Sequence, residues 1–238
     1  MIGACALHLA MDVTQNETLP LAWPLRTRPY SADWVAHFDL WIMLVLLAGV
    51  LLPQLLGLVT EEIGAKSKAP GGRVGTMLAL IAVGLYISGR AILHANAMGT
   101  MEARTYRGEL PRRVAAFAES DSPLRWRGIV ETERGIHDFQ LDLGAPGNFN
   151  PDAGVVSYKP EPSPALDAAS HTDSVRRFVR VARFPRASVE KIATGFRVQI
   201  RDMAPPREEG QNGNRVIAVV ETDANARVMN DDLLWSRF

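Results

Sequence analysis

The chain has 238 residues and a formal net charge of +0, and hydrophobic residues make up 47% of it, which is the composition of a globular protein able to bury a sizeable core. No stretch combines clustered basic residues with interleaved aromatics, so the sequence predicts no nucleic-acid partner. The single cysteine, Cys5, excludes an intrachain disulfide and a cysteine-rich zinc site.

The first segment, IGACALHLAM, is apolar but about ten residues long, which is too short to cross a membrane. We interpret it as the end of a helix. The following residues, 12–34, are rich in turn formers and aromatics, a composition typical of a re-entrant or interfacial loop.

Two apolar runs predict transmembrane helices. Residues 40–59 carry no charge and would extend about 30 Å as a helix, the hydrocarbon thickness of a bilayer. The second run, 74–88, reaches that length only if the helix continues through Arg90 to about residue 98, with the Arg90 charge among the lipid headgroups. A charged loop of hairpin length separates the runs, so we expect an antiparallel pair. A signal peptide is disfavoured because the first run begins late and lacks a basic segment directly before it.

Beyond Pro111 the pattern changes to the alternation that is typical of strands. WRGIVETE and IHDFQLDL, on either side of Arg134-Gly135, predict a hairpin with one solvent-exposed face. Residues 144–164 predict a long loop with a short strand at Val155–Tyr158. Thr172 or Asp173 can cap a helix that ends at Phe184-Pro185. The remaining predicted strands are Gly195–Asp202, 215–221 and an edge at 233–235.

Together these elements predict a membrane α-helical N-terminal unit, residues 1–107, and an α+β soluble C-terminal domain, mainly antiparallel β, residues 108–238. Basic residues flank the two runs more heavily than they populate the loop between them, which favours a cytoplasmic C-terminal domain. The predicted location is therefore the bacterial inner membrane, with several crossings and the lipid bilayer as a partner. We expect the core of the soluble domain to contain Trp126, Phe139, Phe178, Val198 and Val219.

The sequence offers one candidate metal site. His8 and Asp12 are four residues apart in a helical segment, so their side chains lie one turn apart on the same face. Such a pair can share a divalent cation or act as a base and its orienter; the structural alternative is a hydrogen-bonded pair at a helix end. Two ligands do not complete a catalytic metal centre, and His94 is the third candidate. No phosphate loop, His-Glu-x-x-His motif or nucleophile elbow occurs.

Four segments resemble the bacterial YdjM-like family of membrane-bound metal-dependent hydrolases. They are HLAMD with the downstream LPLAWPLRTRPYSADW, then SPLRWRGIVET, RFPRA and VQIRDMA. The resemblance implies that His8 and Asp12 bind a divalent metal ion. Family members also carry an N-terminal His-Arg-x-x-Thr-His motif that is thought to supply metal ligands, and this sequence begins after the position of that motif. The resemblance therefore implies a start further upstream, a lost activity or a second chain that completes the site.

Two hypotheses follow. The first is a membrane-bound metal-dependent hydrolase of unknown substrate, with His8 and Asp12 as the metal ligands. The second is a non-enzymatic membrane-anchored protein whose C-terminal domain binds a protein partner. The sequence upstream of Met1 would separate them, because an in-frame His-Arg-x-x-Thr-His region would favour the enzyme.

Overall fold

The computed structural model of the chain describes residues 2–15, 30–62, 72–145, 147, 149–204 and 215–236. The helices are α1 (Ile2–Thr14), α2 (Leu40–Glu62), α3 (Gly72–Glu102), α4 (Pro164–Ser170) and α5 (Asp173–Val181). The strands are β1 (Arg113–Ala118), β2 (Arg125–Glu131), β3 (Gly135–Asp142), β4 (Val155–Tyr158), β5 (Pro185–Ile192), β6 (Gly195–Asp202), β7 (Arg215–Asp223) and β8 (Val228–Ser236). Most of the interfacial loop predicted at 12–34 lies outside the described residues.

The eight strands form two four-stranded antiparallel sheets, with strand orders β1-β2-β3-β4 and β5-β6-β7-β8. Both orders follow the chain, because neighbouring antiparallel strands need only a short connection. The predicted hairpin around Arg134 is confirmed as β2 and β3, which pair along their whole length. In β3 the residues His137, Phe139 and Leu141 are buried and the residues between them are more exposed, as the alternation predicted.

Other local predictions also agree with the structure. The short strand β4 lies where it was predicted, and α5 begins after Thr172, its N-terminal cap residue. The helices α2 and α3 pack against each other, with Gly49 close to Ala79 and Gly75 close to Pro53. The strand β1 was missed because its last four residues are all buried, which removes the alternation that reveals a strand. The helix α4 was missed as well, since seven residues are too few for a periodic pattern to emerge.

The C-terminal part of α3 packs on one face of the first sheet. Ala97 and Met101 of the helix have no exposed surface and lie in one core cluster with Trp126, Val130 and Leu141. A glycine at position 128 permits this approach, because a Cβ there would overlap the Met101 sulfur and the Phe139 ring. The hydrophobic core therefore continues across positions 107 and 108, where the sequence had suggested a domain boundary.

Two sequence predictions are wrong: the fold class with its multi-helix membrane unit, and the multi-pass location in the bacterial inner membrane. Among the described residues, only the helix Arg73–Glu102 is long and apolar enough to cross a membrane. The described apolar stretch of α2, Leu40–Leu55, is shorter than a helix that crosses a membrane. The remainder of the described chain is predominantly α+β with two antiparallel sheets.

The physical reason lies in the C-terminal part of α3. The apolar residues after Arg90 were interpreted as the end of a second crossing, but the large ones other than the exposed Ile92 pack in a protein core instead. Hydropathy alone does not distinguish a side chain that faces lipid from one that faces a sheet. At ~1.5 Å per residue, residues 73–89 extend about 25 Å, which is less than the hydrocarbon thickness of a bilayer.

The second sheet has its own core, which is closed by α4 and α5. Val175 and Phe178 of α5 pack with Val198 and Val220 of the sheet. All five residues predicted for the core are buried: Trp126, Phe139, Phe178, Val198 and Val219. The two sheets meet where Phe184 and Ala204 pack against Phe117, Ile129 and Ile136 of the first sheet.

Candidate functional site

The predicted metal pair lies on the described part of α1. His8 Nε2 is 3.5 Å from Asp12 Oδ2, and 79% of the His8 side chain is exposed against 29% of that of Asp12. No group of three or more His, Cys, Asp or Glu residues that could hold a metal occurs within the described ranges. Two ligands, one of them largely in solvent, do not fit a catalytic metal centre. Metal binding at His8 and Asp12 stays a prediction.

The other histidines lie elsewhere. The His94 ring packs edge-on against Trp126, with 5.5 Å between the ring centroids, and does not join His8. His37 Nδ1 is 3.1 Å from Gln15 Oε1 near the end of α1. His171 Nδ1 lies 2.9 Å from the Asp167 carbonyl at the end of α4. The structure does not bring any of these three together with the His8–Asp12 pair.

Buried charges concentrate where residues 30–39, α3 and the two sheets meet, a region that we call the junction. Arg183, just after α5, makes a bidentate pair with Asp33, with nitrogen to oxygen distances of 2.8 and 2.6 Å. Asp33 is 4% exposed and has a φ of 59°, a left-handed conformation that aspartate tolerates better than most residues. Arg183 also lies over the Phe117 ring, 4.8 Å from its centroid.

Arg90 is the central residue of the junction. Its side chain is 1% exposed and lies 4.2 Å from the centroid of Trp126, a cation–π contact. Arg90 Nε donates to the Trp34 carbonyl at 3.0 Å, and Nη1 donates to the carbonyls of Ser122 and Pro123. The predicted position of this charge among lipid headgroups is therefore wrong, because backbone carbonyls and an indole ring replace the headgroups.

One helical turn before Arg90, Tyr86 connects α3 to the start of α2. The Tyr86 hydroxyl donates to the Asp39 carboxylate, at 3.2 Å from Oδ1 and 3.0 Å from Oδ2. Asp39 Oδ1 also accepts from the backbone amides of Trp41 and Ile42, so Asp39 caps α2. The described groups of the junction thus bind mainly one another, which favours a role in holding the helices to the sheets.

A second buried polar group lies on the first sheet. His137 is 3% exposed, and its ring centroid is 5.3 Å from that of Tyr106. Burial lowers the pKa of His137, and the positive charge of Arg107 lowers it further. Burial also raises the pKa of Tyr106, whose hydroxyl donates to the Met101 carbonyl at 3.0 Å. Both groups are therefore neutral at pH 7.

Many exposed large hydrophobics of the described residues lie on α2 and on residues 73–92 of α3, and we call this the apolar surface. Its large exposed members on α3 are Val74, Met77, Leu78, Leu80, Ile81, Leu85 and Ile92. Those on α2 include Leu44, Leu47, Val50, Leu51, Leu52 and Leu55. The helices touch through small residues, since a Cβ on Gly49 would overlap Ala79 and a Cβ on Gly75 would overlap Pro53. Contiguous apolar patches of this kind mark sites of protein or membrane interaction.

The second sheet ends in an exposed edge. The strand β8 pairs with β7, and no described strand pairs with its other edge. Four large hydrophobics of β8 are exposed: Val228, Met229, Leu233 and Leu234. An edge of this length presents unpaired backbone groups to which another strand can add.

Comparisons with known proteins supply no relative. No family model, no curated protein and no solved structure matches the chain.

Sequence reasoning missed the junction. The partners Asp33 and Arg183 are 150 positions apart, and no local pattern connects them. Arg90 was the one available signal, because an arginine within an apolar helix is costly unless it has partners. That signal indicated a special residue correctly but did not identify its partners as backbone carbonyls.

Proposed function

We propose that the protein is a non-enzymatic, membrane-anchored protein whose C-terminal part binds a protein partner. The observation that carries the proposal is the apolar surface of α2 and α3. Leu85 and Met77 of α3 are 70% and 66% exposed, so water would surround them unless lipid covered this surface. At about 25 cal/mol for each Å² of apolar area, transfer of this surface from water to lipid is strongly favourable.

The attachment of α3 to the first sheet also supports an anchor. The same helix that exposes Leu85 buries Ala97 and Met101 among sheet residues, so lipid contact at one end fixes the sheet at the other. The hydrogen bonds from the Arg90 guanidinium to the carbonyls of Trp34 and Ser122 fix α3 relative to the segments around these two residues. A continuous helix of 31 residues is stiff enough to position a domain at a membrane surface.

The partner is expected at the edge of β8. Leu233 and Leu234 point to opposite faces of the sheet and are 41% and 47% exposed, so both faces of the edge offer apolar contacts. An extended segment of another protein can add there as a further strand, with main-chain hydrogen bonds for affinity and side-chain contacts for selectivity.

Flotation of the full chain with phosphatidylcholine vesicles tests the anchor. The wild type should float, and the Met77→Glu/Leu85→Glu variant should partition at least about 100-fold less well, because even one buried carboxylate costs roughly 3 kcal/mol in hydrocarbon. Leu110→Glu is the matched control, since Leu110 is 74% exposed but lies away from the apolar surface. A wild type that stays in the dense fraction, or a Leu110 variant that partitions as poorly as the double variant, would refute the proposal.

The metal-dependent hydrolase is the second candidate. One observation favours it, namely the 3.5 Å approach of His8 Nε2 to Asp12 Oδ2. The pair would need ligands from outside the described residues, and we derive no reaction from it.

A further inference from the structure

We propose that the exposed side of α5 binds the anionic headgroups of the membrane in which the apolar surface is embedded. The inference rests on the proposed membrane anchor and adds a second, electrostatic contact with anionic lipids. It concerns three arginines on α5: Arg176, Arg177 and Arg180.

The charge of these arginines is uncompensated. All three are exposed, and no ion pair or hydrogen bond joins their side chains to another residue of the described chain. The acidic residue of α5, Asp173, lies one turn before Arg176 and Arg177 and forms no ion pair with them, and it is seven positions from Arg180. Most other arginines of the second half do have partners; Arg197, for example, pairs with Glu221 at 2.8 Å. The exposed side of α5 therefore carries a concentrated positive charge.

Apolar residues accompany the charges. Val179 is 44% exposed and Val181 is 57% exposed, whereas Val175 and Phe178 on the other side of the helix are buried. An amphipathic helix with basic residues and exposed apolar residues on its outer side is typical of a segment that lies in the headgroup layer. A surface that only contacts water gains nothing from the two valines.

The position of α5 selects lipid as the source of the negative charge. Arg183, two residues after the helix, is held by Asp33, and Asp33 lies seven positions before the start of α2. Trp34, the residue after Asp33, accepts from Arg90 Nε of α3 through its carbonyl at 3.0 Å. Ile92, two positions after Arg90, is 65% exposed and is the last large exposed hydrophobic of α3. The C-terminal end of α5 therefore lies at the level where the apolar surface ends, and headgroups occupy that level in a bilayer.

The test measures the environment of α5 in vesicles that already contain the full chain. The native Cys5 is replaced by serine, Val181→Cys carries an environment-sensitive NBD fluorophore, and the protein is reconstituted in phosphatidylcholine with or without phosphatidylserine. We expect a blue shift of NBD emission only with phosphatidylserine. The shift should vanish in about 1 M NaCl, where the Debye length is ~3 Å.

Charge variants give the magnitude. An arginine near an anionic surface contributes roughly a fivefold change in binding, so Arg177→Gln/Arg180→Gln should weaken docking of α5 by about 25-fold in a titration of phosphatidylserine. The matched control is Lys191→Gln/Arg227→Gln, which removes the same charge from two exposed residues at the hairpin ends of the second sheet. The control should keep the blue shift.

The outcomes separate the two proposals. Failure of the labelled protein to float with either vesicle would overturn the anchor and this inference together. Flotation with both vesicles but the same NBD emission in the two lipids, as expected if α5 binds an acidic protein instead, would overturn the inference and leave the anchor intact. An equal loss of the blue shift in the Lys191/Arg227 control would also overturn it, because the effect would then report net charge rather than α5.

Discussion

The two halves of α3 have the same secondary structure and opposite surroundings. Residues 73–89 expose large side chains such as Leu85, whereas residues 90–102 bury Ala97 and Met101 against the first sheet. One continuous helix runs through both, and Arg90 lies at the boundary. The comparison teaches that an apolar helix can belong partly to a protein core and partly to another phase, with a buried charge between them.

The largest loss of stability is expected in the core against which residues 90–102 of α3 pack. Replacement of the fully buried Trp126 by alanine should lower the free energy of unfolding by about 3–5 kcal/mol, because it leaves a cavity beneath α3. Leu85→Ala, within residues 73–89, should change the free energy of unfolding by less than about 0.5 kcal/mol, since the side chain is 70% exposed. Chemical unfolding of both variants in detergent measures the contrast. Equal destabilisation would remove the distinction between the halves.

The boundary residue should have the next largest effect. Arg90→Met leaves the carbonyls of Trp34, Ser122 and Pro123 without their donor, and we expect a loss of about 2–4 kcal/mol in unfolding free energy. Arg90→Lys should recover less than half of this loss, because one ammonium does not reproduce the guanidinium geometry. Full stability of the methionine variant in the same unfolding experiment would argue against a structural role for the charge.

The contact between residues 73–89 of α3 and α2 should contribute less to stability. Gly75→Ala should cost about 1–3 kcal/mol, because the added methyl group overlaps Pro53 and the Gly49 carbonyl. Gly84→Ala is the control, since a Cβ at Gly84 meets no atom within 4 Å. The control should be neutral or more stable by up to about 1 kcal/mol, through the higher helix propensity of alanine. Thermal unfolding in detergent distinguishes the two, and the reverse order would show that α2 and α3 do not pack through these glycines.

The free energy of unfolding should depend on pH through His137, which is buried on the first sheet. Burial and then the charge of Arg107 depress the pKa of the folded state below the ordinary value of 6.5, so the unfolded chain binds the extra proton first. Stability is therefore full above pH 6.5 and falls as the pH drops toward the folded-state pKa, by at most about 1.4 kcal/mol per pH unit. His137→Phe should flatten this part of the profile of unfolding free energy against pH. A variant with the wild-type slope would exclude His137 as its source.

The smallest effect is expected at His8 and Asp12. His8 is 79% exposed, which weakens its interaction with Asp12, so either alanine variant should change unfolding free energy by less than about 0.5 kcal/mol. Under the proposed function, the purified protein should contain no stoichiometric metal, as measured by elemental analysis of wild type and variants. Stoichiometric zinc or manganese that disappears in both variants would instead favour the metal-dependent hydrolase.

Local patterns predicted local elements well. The alternation in β3, the cap at Thr172 and the turn at Arg134 depend on neighbouring residues, and each led to a correct element. The strand β5 was missed, because its burial is nearly uniform and gives no period-two signal. Among the candidate site residues, His8 and Asp12 were accessible to sequence reasoning because their spacing of four residues is a helical neighbour relation, and Arg90 because it is a charge within an apolar run.

The sequence by itself determined where the apolar segments, the turns and the strands with alternating burial lie, because these follow from composition and periodicity over a few residues. Only the tertiary structure decided which phase each apolar face meets. That choice depends on contacts between distant residues, such as Arg183 with Asp33 and Arg90 with the carbonyls of Ser122 and Pro123. The same hydrophobic free energy favours burial in lipid and burial against a sheet, so hydropathy identifies the driving force but not the partner.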